Sequence, residues 1–465
     1  MTQKTRKRPH RTRRTPDAQA AEAKKRPYVR DAAGEGASGR FGAPATIALM
    51  VALALFVGFV VGLTVYLIMR LSGWLTALIW EGLGGRLGLA VFPLLACTVG
   101  GIVIGAWTLV TGTEIDDLEV VLGRFRRTGS YRLENPPATA VSFLLPLAFG
   151  GSVGFEAGIT GIIVAACCWV RDKLKMAGLR FAGIADLTVA ASVSAIFGSP
   201  LAGLAAGYES ESDETLATEL GSVDDYDMRR EAKVALYLAA TIGALGGIVL
   251  LNFLFGSSEG MPRFEQIGAR GTGYLWALVA LVAAWVLLLV FHAAKGLASH
   301  VSDLLSRREF GAFVRPAVCG VILGAVALAL PFVLFPGEEQ CTELSETWQD
   351  LPWGYLMATG VLKAAMTPMC IHMGWKGGDL FPCIFAGVAV GFGLAAVTGA
   401  DPMLMVTVTA TAFLSGVTGK PTLALGILAL CFPLRGILWM GLAALIGAGL
   451  PVWHPFEKRT AKKAV

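Results

Sequence analysis

The sequence predicts an all-α integral membrane protein built from two related halves with interrupted helices, and three observations carry that prediction. Of 465 residues, 55% are hydrophobic and only 16% are charged, against about 25% charged in soluble domains, and the mean hydropathy is +0.63. Uncharged stretches of about 20 residues, the length a helix needs to cross ~30 Å of hydrocarbon, recur along most of the chain. A spaced set of Ser, Gly and Pro occurs twice. The composition alone excludes a soluble globular protein.

The charges are unevenly placed. Residues 1–40 hold twelve Lys or Arg and four Asp or Glu, a local net of +8 out of the chain's +5, so the remaining 425 residues carry −3. This Pro-, Gly- and Arg-rich arm has too little apolar surface to fold alone and lacks the apolar stretch of a signal peptide. It is expected to be a disordered cytoplasmic tail over 1–44, serving as a topology signal or an anionic-lipid contact rather than a nucleic-acid binder, because it abuts the first span.

Phe41–Met69, Leu87–Thr113, Asn135–Phe155, Leu187–Tyr208, Val234–Ser258, Gly271–Ala294, Pro316–Gly337, Leu380–Ala400 and Gly436–Phe456 are long enough to span, with Pro402–Gly419 marginal. Ala157–Val170, Leu351–Leu362, Ala364–Trp375 and Pro421–Leu434 run 12 to 14 residues. A 14-residue helix covers about 21 Å. It ends inside the bilayer, where broken backbone must be buried in protein or line a polar cavity.

Lys and Arg gather in the tail, in Arg171–Arg180, in Lys295–Arg315 and after Glu457, whereas Gly337–Asp350 is acidic without a base. Both termini therefore read as cytoplasmic and the acidic segment as an external loop. Seven of the eight cysteines lie in apolar runs as small hydrophobes, with Cys341 in the proposed loop. No metal-ligand spacing appears, so no metal or cofactor is expected. Trp353, Trp375, Trp439 and Trp453 are assigned to interfacial belts, and Lys363, between two short apolar runs, to a snorkelling or paired role.

Ser194-Ala-Ile-Phe-Gly198-Ser-Pro200 and Ser415-Gly-Val-Thr-Gly419-Lys-Pro421 share Ser, Gly and Pro at an offset of 221, which Thr188 and Thr409 keep. Each copy follows a double glycine, Gly150-Gly151 or Gly377-Gly378. The halves are set at 45–258 and 259–456, with a short basic cytoplasmic tail at 457–465. Paired, Gly-interrupted segments at corresponding places point to inverted-repeat transporters with a midplane site. Glycine, 57 of 465 residues, permits close helix packing and opens short helices. Their unpartnered N-terminal amides and positive dipole ends suit a small anion. Two such ends bind an anion without a full basic charge, which favours release and throughput.

The sharpest segment is Gly150-Gly-Ser-Val-Gly-Phe-Glu156-Ala-Gly158, in which Glu156 is the only charged residue between Glu134 and Arg171. A carboxylate deep in a bilayer costs at least ~2.5 kcal/mol. One reading is an acid that fills an amide site when ionised and leaves when protonated; the other is a helix cap at a membrane edge.

This segment resembles the second signature of the CLC family of chloride channels and proton-coupled chloride exchangers, Gly-Ser-x-Gly-Arg/Lys-Glu-Gly-Pro, with Phe155, Ala157 and Gly158 as departures. Ile196-Phe-Gly-Ser-Pro200-Leu-Ala-Gly203 is similar to the family's Phe-Asn-Ala-Pro-Leu-Ala-Gly helix, Gly377-Gly-Asp-Leu-Phe-Pro382 to its Gly-Gly-x-Phe-x-Pro signature, and Gly416–Ala424 to a later segment. The likeness covers roughly residues 45 to 450. It implies a CLC-like inverted repeat of many tilted, broken and short helices, a homodimer, and an anion pathway gated by Glu156. Gly154, Phe155 and Ala157, with Gly378, Asp379, Leu380 and Phe381, would surround the anion. The first signature falls on Gly112–Asp116, where only the Thr113 hydroxyl remains to touch an anion. Asp379 would compete with an anion unless it caps its helix facing away. The family's C-terminal pore tyrosine has no counterpart after Tyr355. Ten residues beyond Pro200, where proton-coupled members carry an internal glutamate, stands Ser210 with Glu209 beside it as a possible proton path. Lys376 and Lys420 lie beside proposed pore segments. No regulatory nucleotide-binding module is expected after the last span.

The resulting expectation is a multi-pass cell-membrane protein, not an enzyme, that moves small inorganic anions, chloride first, as a CLC-type channel. The alternatives are a proton-coupled chloride or fluoride antiporter of the same fold, an inverted-repeat organic-anion carrier, and an intramembrane serine hydrolase in which Ser152 of Gly-x-Ser-x-Gly is the nucleophile. The anion and the bilayer are the expected partners, with no nucleic acid.

Overall fold

The computed structural model describes residues 43–112, 121, 132–176, 184–205, 230–256, 263–265, 267–268, 271–307, 310–429, 431–432 and 436–452. In chain order its principal helices are α1 (Ala43–Ala77), α2 (Phe92–Thr111), α3 (Pro136–Ala148), α4 (Glu156–Met176), α5 (Ile184–Phe197), α6 (Arg230–Phe255) and α7 (Trp276–Ser306). They continue with α8 (Gly311–Ala327), α9 (Glu338–Thr347), α10 (Trp353–His372), α11 (Leu380–Thr398), α12 (Pro402–Thr418), α13 (Pro421–Leu428) and α14 (Ile437–Ala448). No strand occurs among the described residues, only one isolated bridge between Gly154 and Gly378.

Among the described residues, five helical stretches are long and apolar enough to cross a membrane: Met50–Leu87, Phe92–Thr111, Val234–Phe255, Gly273–Ser306 and Leu380–Thr398. They divide by burial. Protein covers 83% of the most apolar window of Leu380–Thr398 but 33–44% of the other four. α11 is therefore an inner helix walled by α10 and α12, while the others turn apolar faces outward. Glycines permit the contact: a Cβ on Gly387 would lie 2.5 Å from the Ala410 Cα, and one on Gly391 equally close to the Val406 Cα. α2 and α8 meet the same way, with Gly324 on the Leu94 Cα. With no hydrophobic drive between helices in lipid, backbone proximity and dispersion supply the attraction.

The repeated segments have the same local form. Gly198 (φ 60°) ends α5 and Gly419 (φ 64°) ends α12 in the left-handed conformation that glycine adopts without strain, and a new helical stretch begins at Pro200 and at Pro421. The two restarts touch: the Ser199 hydroxyl donates to the Gly426 carbonyl at 2.7 Å.

Several boundaries differ from the sequence reading. Leu351–Leu362 and Ala364–Trp375 are not two truncated helices. α10 runs unbroken through Lys363, whose side chain is 0% exposed and donates to the carbonyls of Phe332, Val333, Leu334 and Phe335 at 3.4, 3.1, 2.7 and 2.5 Å. It neither snorkels nor, among the described residues, pairs with a carboxylate; backbone acceptors carry its charge. α4 likewise continues past Val170 to Met176, whereas Asn135–Phe155 holds only the 13-residue α3 before a turn and irregular backbone. The acidic segment 337–350 is not a loop: α9 buries Glu338, Cys341 and Leu344, spaced on one helical face, against α11. Trp375 is not interfacial either, being fully buried with its indole donating to the Pro316 carbonyl at 2.9 Å. Trp453 lies outside the described residues.

Candidate functional site

The two double-glycine segments, 227 residues apart in the chain, meet. Gly154 N–H donates to the Gly378 carbonyl at 2.7 Å and Gly378 N–H to the Gly154 carbonyl at 2.8 Å, an antiparallel pair. Immediately after each glycine a helix starts, α4 at Glu156 and α11 at Leu380. Two helix N-termini thus open beside one another, each with amides that lack intrahelical acceptors. On α11 the supply is small, because Pro382 has no N–H and Cys383 N–H already bonds to the Asp379 carbonyl at 3.0 Å. Leu380 and Phe381 are left to face the site.

Glu156 reaches across this junction. Its side chain is 2% exposed, and Oε1 accepts the Leu380 N–H at 2.6 Å, a contact from the first residue of one helix to the first of the other. The second carboxylate oxygen, Oε2, is buried and has no hydrogen-bond partner among the described residues. The space it uses exists because two side chains are missing: a Cβ on Gly154 would overlap Oε2, and one on Gly378 would overlap Oε1 and the carboxyl carbon. A Cβ on Gly377 would instead strike the Val153 Cβ at 2.6 Å and the Gly154 carbonyl at 2.9 Å.

The sequence-predicted residues separate on this geometry. Glu156, Gly154, Gly378 and Leu380 form one contact group. The amides of Gly154 and Gly378 bond to each other and not to the site, so these residues contribute an absent side chain rather than a donor. Phe155 packs edge to face on Phe381, with ring centroids 5.5 Å apart, and Phe381 stacks on Phe197 at 4.7 Å. Ala157 is buried on the first turn of α4. Asp379 occupies the N-cap of α11 and makes no side-chain capping bond to that helix, so the capping role that would turn its carboxylate from an anion is absent. Thr113 and Glu209 lie outside the described residues. Ser152, the serine of Gly-x-Ser-x-Gly, sits 3.3 Å from the Thr367 hydroxyl.

Sequence reasoning missed Phe197 as a neighbour of the site. Its place just before Gly198-Ser-Pro200 is the signal, since the residue ending a helix at a mid-membrane break faces the gap the break makes. It also missed the support behind the glycines. Phe335, a non-glycine residue at φ 62°, donates its N–H to the Gly150 carbonyl at 3.1 Å. Nothing local in 331–335 announces that contact.

Chemically, the junction sets main-chain amide donors and one carboxylate, already on a donor, in a buried space.

The family profile described as "Voltage gated chloride channel" matches residues 111–451, well over half of the chain. Putative ion-transport protein YfeO of Escherichia fergusonii is 23% identical over 360 residues, covering 74% of this chain and 79% of the relative, and the protein of that name from Shigella sonnei matches to the same extent. In fold, the chain is similar to a CLC-type fluoride/proton antiporter (TM-score 0.66, 16% identity, 88% of this chain and 98% of that one). It is also similar to a slow cyanobacterial Cl−/H+ antiporter (TM-score 0.62, 16% identity, 86% and 94%). With several apolar spans and a profile match across both double-glycine segments, this multi-pass membrane protein belongs to the voltage-gated chloride channel family and transports anions.

Proposed function

We propose that chloride passes between the first turns of α4 and α11 and that Glu156 is the gate. The single observation that carries this reading is the Leu380 N–H bonded to Glu156 Oε1 at 2.6 Å: the carboxylate sits on the donor that a passing anion would use. An ionised Glu156 competes for that amide, and a protonated one has no charge to hold it there. Gly154 and Gly378 leave the carboxylate room to move, Leu380 and Phe381 supply the amides, and Phe155 and Ala157 wall the opening. Thr113, one residue after the described end of the α2 segment, is proposed as a hydroxyl donor further along the path. The mutual pairing of Gly154 and Gly378, and the contact between the restarts at Pro200 and Pro421, support two inverted halves at 45–258 and 259–456. The basic arm at 1–44 supports cytoplasmic termini in the cell membrane, and the family likeness supports a homodimer.

The channel reading rests on Ser210 at the position where proton-coupled members carry glutamate. The opposing reading, proton-coupled antiport of chloride or fluoride with Glu209 on the proton path, is favoured by the two antiporters whose fold this chain shares. One preparation tests both. In liposomes, Glu156→Gln keeps chloride flux and loses its pH dependence; loss of flux in a folded variant would make the carboxylate structural. Uphill proton movement driven by a chloride gradient in the wild-type protein would replace the channel with the antiporter, and repeating the assay with fluoride sets the preference.

A further inference from the structure

A second feature lies beside the chain that leads into the double glycine at 377–378. A partly enclosed cavity of about 20 Å³ lies between the end of α2, α3, the first turn of α8 and the strand of chain 374–376, and its polar lining is Trp107, Thr108, Ser142, Arg315 and Lys376. One water-sized particle needs about 10–15 Å³ by this measure.

The lining is rich in donors. Lys376 is half-buried and has no hydrogen-bond or ion-pair partner among the described residues, and no carboxylate lines the cavity. The Ser142 hydroxyl accepts from the Trp107 indole at 3.0 Å, and its own proton has no acceptor among the described residues. The Arg315 guanidinium spends Nε on the Gly311 carbonyl at 3.3 Å and Nη1 on the Ser302 hydroxyl at 3.0 Å, which fixes its plane and leaves Nη2 uncommitted. The first turn of α8 adds its positive dipole end, since Ala312 also lines the space.

The chain is shaped to hold Lys376 there. Gly374 takes φ 99° and lies against the Pro316 ring, where a Cβ would come within 2.9 Å of Cγ. The Trp375 indole bonds the Pro316 carbonyl at 2.9 Å. Two residues later Gly378 pairs with Gly154, and two residues of chain span at most about 7 Å. Lys376 is therefore two residues of chain from the glycine that pairs with Gly154 beside the Glu156 carboxylate.

We propose that this cavity is a second anion subsite, taking one monovalent halide-sized anion on Lys376 and Ser142 with Arg315 as fixed background charge. It stages the ion for the Glu156 junction. The proposal rests on the anion-transport reading above and adds to it a second occupied position, so that ions can displace one another along the path.

The test uses the full chain. Chloride flux is measured in phosphatidylethanolamine/phosphatidylglycerol liposomes against chloride concentration at constant ionic strength, and chloride binding by calorimetry in detergent. Lys376→Gln raises the half-saturating chloride concentration ~10-fold and Ser142→Ala ~3-fold. Lys376→Arg stays near wild type, and each variant binds chloride with the same loss. Two outcomes overturn the subsite: both curves unchanged with flux intact, or a shift in Lys376→Gln with none in Ser142→Ala, which is through-space charge and not a site. If Lys376→Gln fails to fold, Ser142→Ala decides alone. A wild type that shows no flux but binds chloride through Lys376 and Ser142 keeps the subsite and removes the transport reading.

Discussion

Two buried charges show how differently one protein can treat the same desolvation problem. Lys363 is fully enclosed and saturated: four carbonyls from residues 332–335 surround its ammonium, and the Phe385 ring centroid lies 5.2 Å away. Glu156 is almost as enclosed but holds one amide with one oxygen, and its other oxygen has no hydrogen-bond partner among the described residues. An uncompensated buried charge is costly, and a saturated one is fixed in place. The contrast separates a fixed scaffold group from the group proposed to move. The two are joined, because the loop gripped by Lys363 carries Phe335, which holds the Gly150 carbonyl. In addition, the Lys363 carbonyl accepts from Thr367, whose hydroxyl meets Ser152. The segment that presents Glu156 is thus tied at two points to the turns organised by the lysine.

The largest effect is expected where saturation is removed. Lys363→Met leaves four carbonyls without their shared donor, and the loss should be about 3–5 kcal/mol, read as a large fall in Tm in detergent. Lys363→Arg, which keeps the charge but not its shape, should recover part of it. A Lys363→Met protein as stable as wild type would break the comparison, because the gate would then need no such support.

Next come the two adjacent glycines, which push on different things. Gly377→Ala drives a Cβ into the Val153 side chain and the Gly154 carbonyl, neither of which can withdraw, and should cost about 1–3 kcal/mol. Gly378→Ala meets the Glu156 carboxylate, the free end of a side chain that can swing away. That variant should keep its stability within about 1 kcal/mol of wild type and conduct with a weakened pH dependence, partly mimicking Glu156→Gln. Equal destabilisation by both would mean that the carboxylate is as immobile as the backbone.

This asymmetry also marks what was legible in the sequence. The meeting of Glu156 with the segment from Gly377 could be read, because a lone acid in an apolar run and a paired glycine spacing are local patterns with a specific physical cost. The inner position of α11 was not visible, since an all-apolar helix reads alike facing lipid or protein. A charge inside an apolar run reads as the end of a span, and Lys363 breaks that rule because α10 runs through it. Its acceptors lie 28–31 residues earlier in sequence, in a turn with no marker of its own. Trp375 was placed at an interface for the same reason, its partner being the carbonyl of Pro316. The 337–350 segment looked like a loop from its charge, whereas the spacing of Glu338, Cys341 and Leu344 was the better signal.

The smallest effect tests whether the second contact between the halves is scaffold alone. The Ser199 hydroxyl gives its proton to the Gly426 carbonyl at 2.7 Å and also lies 3.4 Å from the Ala202 N–H of its own short helix. Ser199→Ala strips one buried acceptor of its donor, which should cost about 1–2 kcal/mol. Unlike Gly378 or Glu156, Ser199 contacts neither the carboxylate nor the amides of α11. Chloride flux and its pH dependence should therefore match wild type while Tm drops by a few degrees. A shifted pH dependence in this variant would show that the restarts at Pro200 and Pro421 move with the gate, and the line drawn here between a rigid frame and one mobile acid would have to pass elsewhere.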